Sequence, residues 1–372
     1  FLREVDGDEN YLVFGPDRYR HGNQLDQDFF QVKFVAEYSL GDHSIKAGIE
    51  REEVDVNNLF AQNSEGSYVF DSVADLQNAT ASGLLYNNAV TNNENDLRAI
   101  WGYDYTSVYI QDSWNARSDI EIDFGVRYDR YDTKGSIREN SNFVERYGYA
   151  NTTDIGGLHV VLPRISFKWY ASENTTVRGG IGKFSGGSPG VWISNSYSND
   201  GVISDSSNVD GVVNVPTSAD AATGQYIPAD VLAALANEAP DGSVNALSPD
   251  FEIPTTTKVS IGVAHQTDLG NLGEDWLLSA DVLYNTLENT PYWYDQRCER
   301  PVATAPDGRG VYDCGGAPEA IVVGSFNGGE STLFALSAKK EWDTKAGRFD
   351  LFASYTHADI KDIGYGTSST AT

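Results

Sequence analysis

Ten stretches of the chain alternate apolar and polar residues with a period of two, and the connections between them alternate strictly in length. The short connections are residues 41–43, 115–119, 171–175, 267–273 and 343–347. The long connections are residues 52–104, 132–157, 186–255 and 287–330. Antiparallel pairing of neighbours would place every short connection at one end of a sheet. This arrangement is typical of an outer-membrane β-barrel, with short periplasmic turns and long extracellular loops.

The clearest alternating stretch covers residues 120–131. Its apolar positions are Ile120, Ile122, Phe124, Val126 and Tyr128, and they alternate with Glu121, Asp123, Gly125, Arg127 and Asp129. Four of these five intervening residues are charged, so the stretch cannot be buried on both faces in a dry core. We therefore predict an all-β, antiparallel transmembrane barrel segment whose strands meet an apolar medium on one face and water on the other.

Composition excludes several classes of protein. The net charge of −28 argues against a nucleic-acid partner. No stretch reaches the 18 apolar residues of a spanning helix, but a barrel strand needs only about 9 to 11 residues. Many acidic residues fall in the predicted long connections, where they form either a solvated surface or a site for divalent cations or a cationic ligand. They include Glu52, Glu53, Asp55, Asp71, Asp75, Asp200, Asp205, Asp210 and Asp220.

Four of the seven tryptophans lie beside short connections, at one end of the predicted hairpins. They are Trp114, Trp169, Trp276 and Trp342. This placement predicts an interfacial aromatic girdle. General enrichment of aromatic residues in strands is the alternative, and it predicts tryptophans scattered along the strands. Asp112 and Lys340 share the predicted apolar face and lie within two residues of the girdle, where charge is less costly.

The two cysteines, Cys298 and Cys314, lie in one long connection. A disulfide between them would restrict the unfolded loop and contribute about 3 kcal/mol. It requires an oxidising compartment. The alternative is an unpaired or metal-binding pair, although no histidine nearby completes a zinc set.

No residue pattern predicts catalysis, a metal site or a cofactor. The segment from Gly179 to Phe184 lacks the first glycine and the Ser or Thr of a phosphate loop. The five histidines are dispersed. Residues 228–236, inside the longest connection, have Pro in the first turn and strong helix formers after it. We predict a helix there that folds over the barrel mouth.

Several segments resemble the barrel of TonB-dependent outer-membrane receptors. They are residues 14–23, 109–114 and 124–129, and residues 182–195 and 249–254 are similar to the Oar-like branch. The resemblance covers nearly the whole chain, and we assign residues 1–372 to one partial receptor barrel domain. It implies about ten strands of a 22-stranded barrel, with the plug, the TonB box and the C-terminal strands absent from this sequence.

The resemblance also implies a function and partners. The implied function is energy-coupled uptake of a scarce solute. The implied partners are outer-membrane lipid and the TonB–ExbB–ExbD system, which would act through an N-terminal part. Arg127, Arg164, Lys168 and Arg178 would face the lumen and either line the solute path or pack against the plug. For ligand binding we select Trp192, Asn195 and Tyr197, whose aromatic and amide groups suit a small-molecule site or order the loop.

The alternative to a receptor is a secreted or surface β-protein that binds a partner without transport. An enzyme is a third hypothesis that no residue constellation favours.

Overall fold

A computed structural model describes residues 2–3, 11–186, 190–237, 241–298 and 301–362 of the 372-residue chain. Its main element is one ten-stranded antiparallel sheet, in which each strand pairs with the next along the chain. The strands are β1 (Gly22–Leu40), β2 (His43–Ala61), β3 (Ala99–Arg117), β4 (Ile120–Lys134), β5 (His159–Ser172), β6 (Thr175–Ser185), β7 (Thr255–Thr267), β8 (Trp276–Glu288), β9 (Glu330–Thr344) and β10 (Gly347–Lys361).

This architecture confirms the predicted fold class. The short connections are residues 41–42, 118–119, 173–174, 268–275 and 345–346, and the long ones are residues 62–98, 135–158, 186–254 and 289–329. The ten strands form a single sheet rather than two stacked sheets, and within the described residues β1 and β10 are its unpaired edges. Among those residues, no helix combines the length and the apolar character needed to cross a bilayer.

One face of the sheet is apolar across its first four hairpins, from β1 to β8. Directly paired residues share a face, and from β1 to β8 one such row of paired residues contains a single polar side chain, Asp112. In β9 and β10 the same row reaches Thr332 and Asp359. The row runs through Tyr38, Ile45, Asp112, Phe124, Ile165, Ile181, Val259 and Tyr284. Phe124, Ile165 and Ile181 are 42%, 50% and 50% exposed, so no protein layer covers them. A continuous exposed apolar face of this extent requires a nonpolar surrounding, which a membrane supplies.

The opposite face is polar near the short turns and is called the inner face here, because the long connections pack against its far end. The row through Gln111, Gly125, Arg164, Gly182 and Lys258 illustrates its character. The side-chain pattern therefore separates a lipid-facing surface from a hydrated one, as expected for a barrel wall.

The first long connection is shorter than the sequence predicted. We expected it to span residues 52–104, but β2 continues to Ala61 and β3 begins at Ala99. The reason is a change of phase. The apolar residues of β2 that precede Arg51 in the chain lie on the lipid face. Val54 and Val56, which follow Arg51, lie on the inner face and are buried. The inversion breaks the period-two pattern and so resembles the end of a strand.

Charged residues occupy the outer face of this extension, where the strands leave the membrane. Arg51 lies 2.9 Å from Asp104, and Lys134 lies 3.2 Å from Asp104 and 3.6 Å from Glu53. Glu52, Glu53 and Asp55 are therefore strand residues and not loop residues as predicted. The charges face water because the extension buries its apolar side inward.

The long connections fold together into a cap on the inner face of the extension. In its main core, Val54, Trp101 and Tyr103 contact residues from three long connections. These residues are Ile155, Ile193, Tyr197, Leu247, Phe251, Ile253 and Val323. The strand Val244–Leu247 also pairs with Ala320–Phe326, which joins the third connection to the fourth.

The predicted helix in the longest connection is present as Ala229–Asn237, directly after Pro228. Its residues Val231, Leu232 and Leu235 are buried against Leu84 and Tyr86 of the first connection. The strands Thr80–Leu85 and Val209–Asn214 pair beside it. The first and third connections thus share a second core of their own.

Candidate functional site

A cavity of about 630 Å³ lies between the extracellular ends of β1, β2 and β3 and the cap. Val54, Val56 and Trp101 form part of its strand wall. Six side-chain amides also line it: Gln27, Asn58, Gln62, Asn87, Asn195 and Asn199. Five serines add hydroxyl groups: Ser194, Ser198, Ser204, Ser206 and Ser243. Its size and its mixture of apolar and polar groups are those of a small-molecule site.

The helix Gly190–Ser198 covers one side of the cavity. Tyr197 stacks on Trp101 with ring centroids 5.5 Å apart and an interplanar angle of 11°. The Asn58 amide donates a hydrogen bond of 3.2 Å to Ser194 Oγ, which connects β2 to this helix. These contacts hold the helix over the strands and place Asn195 in the cavity lining.

The three residues selected for ligand binding do not share one environment. Asn195 lines the cavity. Tyr197 is 5% exposed and belongs to the main core of the cap. Burial raises the pKa of Tyr197 to about 12, and the Asp154 carboxylate adds to the rise. The side chain of Trp192 lies outside the described residues. The position of Tyr197 favours the loop-ordering role.

Asp200 holds in place the chain segment that follows this helix and forms one wall of the cavity. We expected it in a solvated acidic loop surface, but its side chain is fully buried. Its carboxylate lies 2.9 Å from Arg138 Nη1 and accepts hydrogen bonds from the backbone N–H groups of Val202 and Ile203, at 2.8 and 3.0 Å. The following strand Ser204–Ser206 then pairs with Asn87–Ala89. A lone Asp in an acidic loop gives no sequence signal of this role.

Among the described residues, three that are charged line the cavity. The Arg20 guanidinium lies 5.8 Å from the centre of the Phe60 ring. Asp205 Oδ1 accepts a hydrogen bond of 2.7 Å from the Ser206 backbone N–H. Glu319 lies 3.6 Å from Arg297 outside the lining. The described lining therefore carries charges of both signs, and Glu319 is the one of these three residues with an ion-pair partner.

The four basic residues predicted to face the lumen lie on the inner face. Arg127 binds Asp129 and the Tyr105 hydroxyl, both at 2.8 Å. Arg164 donates to Gln111 at 2.5 Å, and Lys168 donates to Tyr170. Each of the three thus has a partner within the wall.

Arg178 shows how a glycine makes room for such a pair. Its Nη2 lies 2.7 Å from Asp281 Oδ1, and Gly262 occupies the strand between these two residues. A Cβ at Gly262 would lie 2.0 Å from Asp281 Oδ1. On the inner face Arg127 and Arg178 are therefore ion-paired, whereas Arg164 and Lys168 are hydrogen-bonded to neutral side chains.

The four tryptophans of the predicted girdle lie at the short-turn end of the sheet. Trp276 and Trp342 contact each other edge to face at 5.9 Å, and Trp169 Nε1 donates to Asp119 at 3.2 Å. Trp114 stacks on His43 at 5.5 Å. All four side chains stand on the apolar face.

The two charged residues near this end have local partners. Asp112 lies 2.6 Å from His43 Nδ1. Lys340 is 8% exposed, and its Nζ donates to the Glu274 carbonyl and lies 5.8 Å from the centre of the Trp342 ring. These contacts reduce the cost of charge on the apolar face.

Cys298 and Cys314 form a disulfide in the structure, with Cα atoms 4.6 Å apart. It closes the segment that contains the small hairpin of Pro301–Thr304 and Gly310–Tyr312. Asp295 lies close to both sulfurs, but a disulfide leaves no thiolate for a metal ion.

Comparison with known proteins gives a family. Residues 9–281 match the model of the family described as outer membrane beta barrel domain. None of the curated proteins gives a significant match.

The chain is similar in structure to three transporters. Against YddB from Escherichia coli it has 12% identity, a TM-score of 0.46, and coverage of 90% of this chain and 34% of that one. Against the copper transporter OprC it has 10% identity, a TM-score of 0.44, and coverage of 90% of this chain and 38% of that one. Against the FrpB iron transporter from Neisseria meningitidis it has 11% identity, a TM-score of 0.43, and coverage of 91% of this chain and 36% of that one. The chain thus spans about a third of the length of these structures.

Proposed function

Because the chain belongs to the outer membrane beta barrel domain family, we propose that it forms part of the wall and extracellular cap of a solute receptor. The chain lies in the outer membrane, and its family is not enzymatic. The receptor would capture a solute at the cap and pass it along the inner face of the wall. This function requires an apolar face toward lipid and a hydrated face toward the solute.

The observation that carries the proposal is the cavity of about 630 Å³ between β1–β3 and the cap. It lies on the hydrated side of the sheet, at the end where the long connections lie. A solute held there would already be beside the inner face. A surface protein that only binds a partner has no need for this position.

The finer assignment concerns energy coupling and the rest of the barrel. We propose that further strands pair with the edges of β1 and β10 to close a barrel of about 22 strands around a plug. Coupling would then come from TonB, ExbB and ExbD. The segments 182–195 and 249–254 support the Oar-like branch. Arg127 and Arg178 are ion-paired within the wall and Arg164 is hydrogen-bonded to Gln111, which supports packing against a plug more than repeated contact with a moving solute.

Untargeted solute depletion tests the proposal. Cells with and without the full-length receptor would grow in a complex medium, with or without a protonophore, and mass spectrometry would follow the medium. We expect at least one solute whose removal requires both the receptor and the proton gradient. Depletion that ignores the protonophore would contradict the energy coupling, and depletion that ignores the receptor would contradict uptake itself.

A further inference from the structure

We propose that the cavity binds a neutral, hydroxyl-rich solute of the saccharide class. This inference rests on the proposed receptor function and adds the chemistry of its ligand. It follows from three properties of the lining, which are its charge, its amide groups and one unpaired donor.

The charge of the lining disfavours anionic solutes. Arg20 is the one basic residue among the described lining residues, and Asp205 and Glu319 are acidic. A site for a carboxylate-rich metal chelate needs an excess of cationic donors, because buried anions require paired charge. The cavity has no such excess, and the net charge of −28 repels anions at longer range. The ion pair of Glu319 with Arg297 also weakens the attraction for cations.

The amides of the lining match a ligand that both donates and accepts hydrogen bonds. Each amide offers two N–H donors and a carbonyl acceptor. In the described part of the chain, the side chains of Gln27, Gln62 and Asn195 have no hydrogen-bond partner, so they are available to a ligand. A sugar hydroxyl is donor and acceptor at once, and neighbouring hydroxyls can pair with both ends of one amide. The serines supply further groups of the same kind.

Trp101 supplies an independent observation. Its side chain lines the cavity and is 3% exposed, and its indole N–H has no hydrogen-bond partner among the described residues. A buried N–H without an acceptor is costly, and native structures rarely leave one. This N–H has almost no accessible surface, so we infer that the ring shifts on binding and that a hydroxyl oxygen of the ligand, or a water that the ligand holds, then completes this bond. Val56 and Leu97 give the same cavity an apolar side for the C–H face of a sugar ring.

Binding measurements on the purified full-length receptor in detergent test the inference. An array of neutral oligosaccharides would identify a ligand, and titration calorimetry would compare it with ferric citrate and trialanine. We expect saturable binding to at least one neutral oligosaccharide and none to ferric citrate. Asn195→Ala and Gln62→Ala should each weaken that binding about three- to ten-fold, the loss expected for one neutral hydrogen bond.

Asn142→Ala is the matched control, because it removes an amide from the cap outside the cavity lining. It should leave the affinity unchanged, and all three variants should keep the heat-modifiable band of a folded barrel on gels. The inference is overturned if no neutral oligosaccharide binds, if the cavity variants bind normally, or if only ferric citrate or trialanine binds. Receptor-dependent depletion of a chelate or peptide from the medium would overturn the saccharide assignment while leaving uptake intact.

Discussion

At the scale of single residues, buried polar groups of the cap are its most constrained positions. Asp200 joins the second connection to the third through Arg138 and fixes the chain before the cavity wall. The sequence could not distinguish it from the exposed acidic residues around it. Burial of one carboxylate depends on packing between two distant segments, which no local pattern reports.

Asp200→Asn should destabilise the cap by about 1–3 kcal/mol, because it weakens hydrogen bonds to a buried group and removes the ionic contact with Arg138. Thermal unfolding of the full-length receptor in detergent, together with protease cleavage near residues 199–206, measures the effect. Asp210→Asn removes an exposed charge in the same connection and should have no effect. Equal behaviour of the two variants would contradict the structural role of Asp200.

Tyr197 predicts a loss of cap stability at alkaline pH. Its folded pKa of about 12 exceeds the ordinary value of 10, since burial disfavours the phenolate. The stabilisation is complete below pH 10 and is lost as the pH rises from 10 to 12. Protease sensitivity of the cap should therefore increase over this range. Tyr197→Phe cannot ionise and should remove part of that increase, and an unchanged profile would exclude Tyr197 as a contributor.

At the scale of elements, the sequence predicted the ten strands and the order of short and long connections correctly. Even the glycine-rich β6, with Gly179, Gly180 and Gly182, is continuous. The prediction failed where β2 and β3 leave the membrane, because their apolar side turns from lipid to the cap. A period-two pattern reports which side is apolar only while the surroundings of both faces stay the same.

The candidate site was less predictable than the strands. Of the two selected residues whose side chains the structure describes, Asn195 lines the cavity and Tyr197 does not. Gln27 and Gln62 come from β1 and the first connection, and they meet Asn195 only through the folding of the cap. An amide in a strand or loop carries no pattern that marks it as a binding group, so a site assembled from several segments has no linear signature.

The disulfide predicts a local effect within the fourth long connection. Replacing both Cys298 and Cys314 by serine should make residues 301–312 sensitive to protease, since the bridge restricts the opened loop by about 3 kcal/mol in the chain-entropy model. The unfolding temperature of the barrel should stay the same, because the hairpin lies outside the ten-stranded sheet. A lower barrel unfolding temperature would show that the hairpin supports the wall.

At the scale of the whole molecule, the sheet separates two media over its membrane-spanning length. Ile261 and Ser260 are neighbours in β7 and stand on opposite faces. Ile261→Arg should reduce folding into liposomes, at a cost of about 2–4 kcal/mol near the bilayer midplane. Ser260→Arg places the same side chain on the hydrated face and should fold normally. Heat-modifiability on gels gives the folded fraction, and equal folded fractions would contradict the assignment of the faces.

The strand pairing of Ser204–Ser206 with Asn87–Ala89, and the second core that Leu235 shares with Leu84, have a consequence for engineering the receptor. A chimera that transplants either long loop alone would carry half of a hydrophobic interior and leave its complement behind. Exchange of ligand preference between homologous receptors should therefore require both loops to move as one graft. Over evolutionary time the two segments are expected to diversify in step.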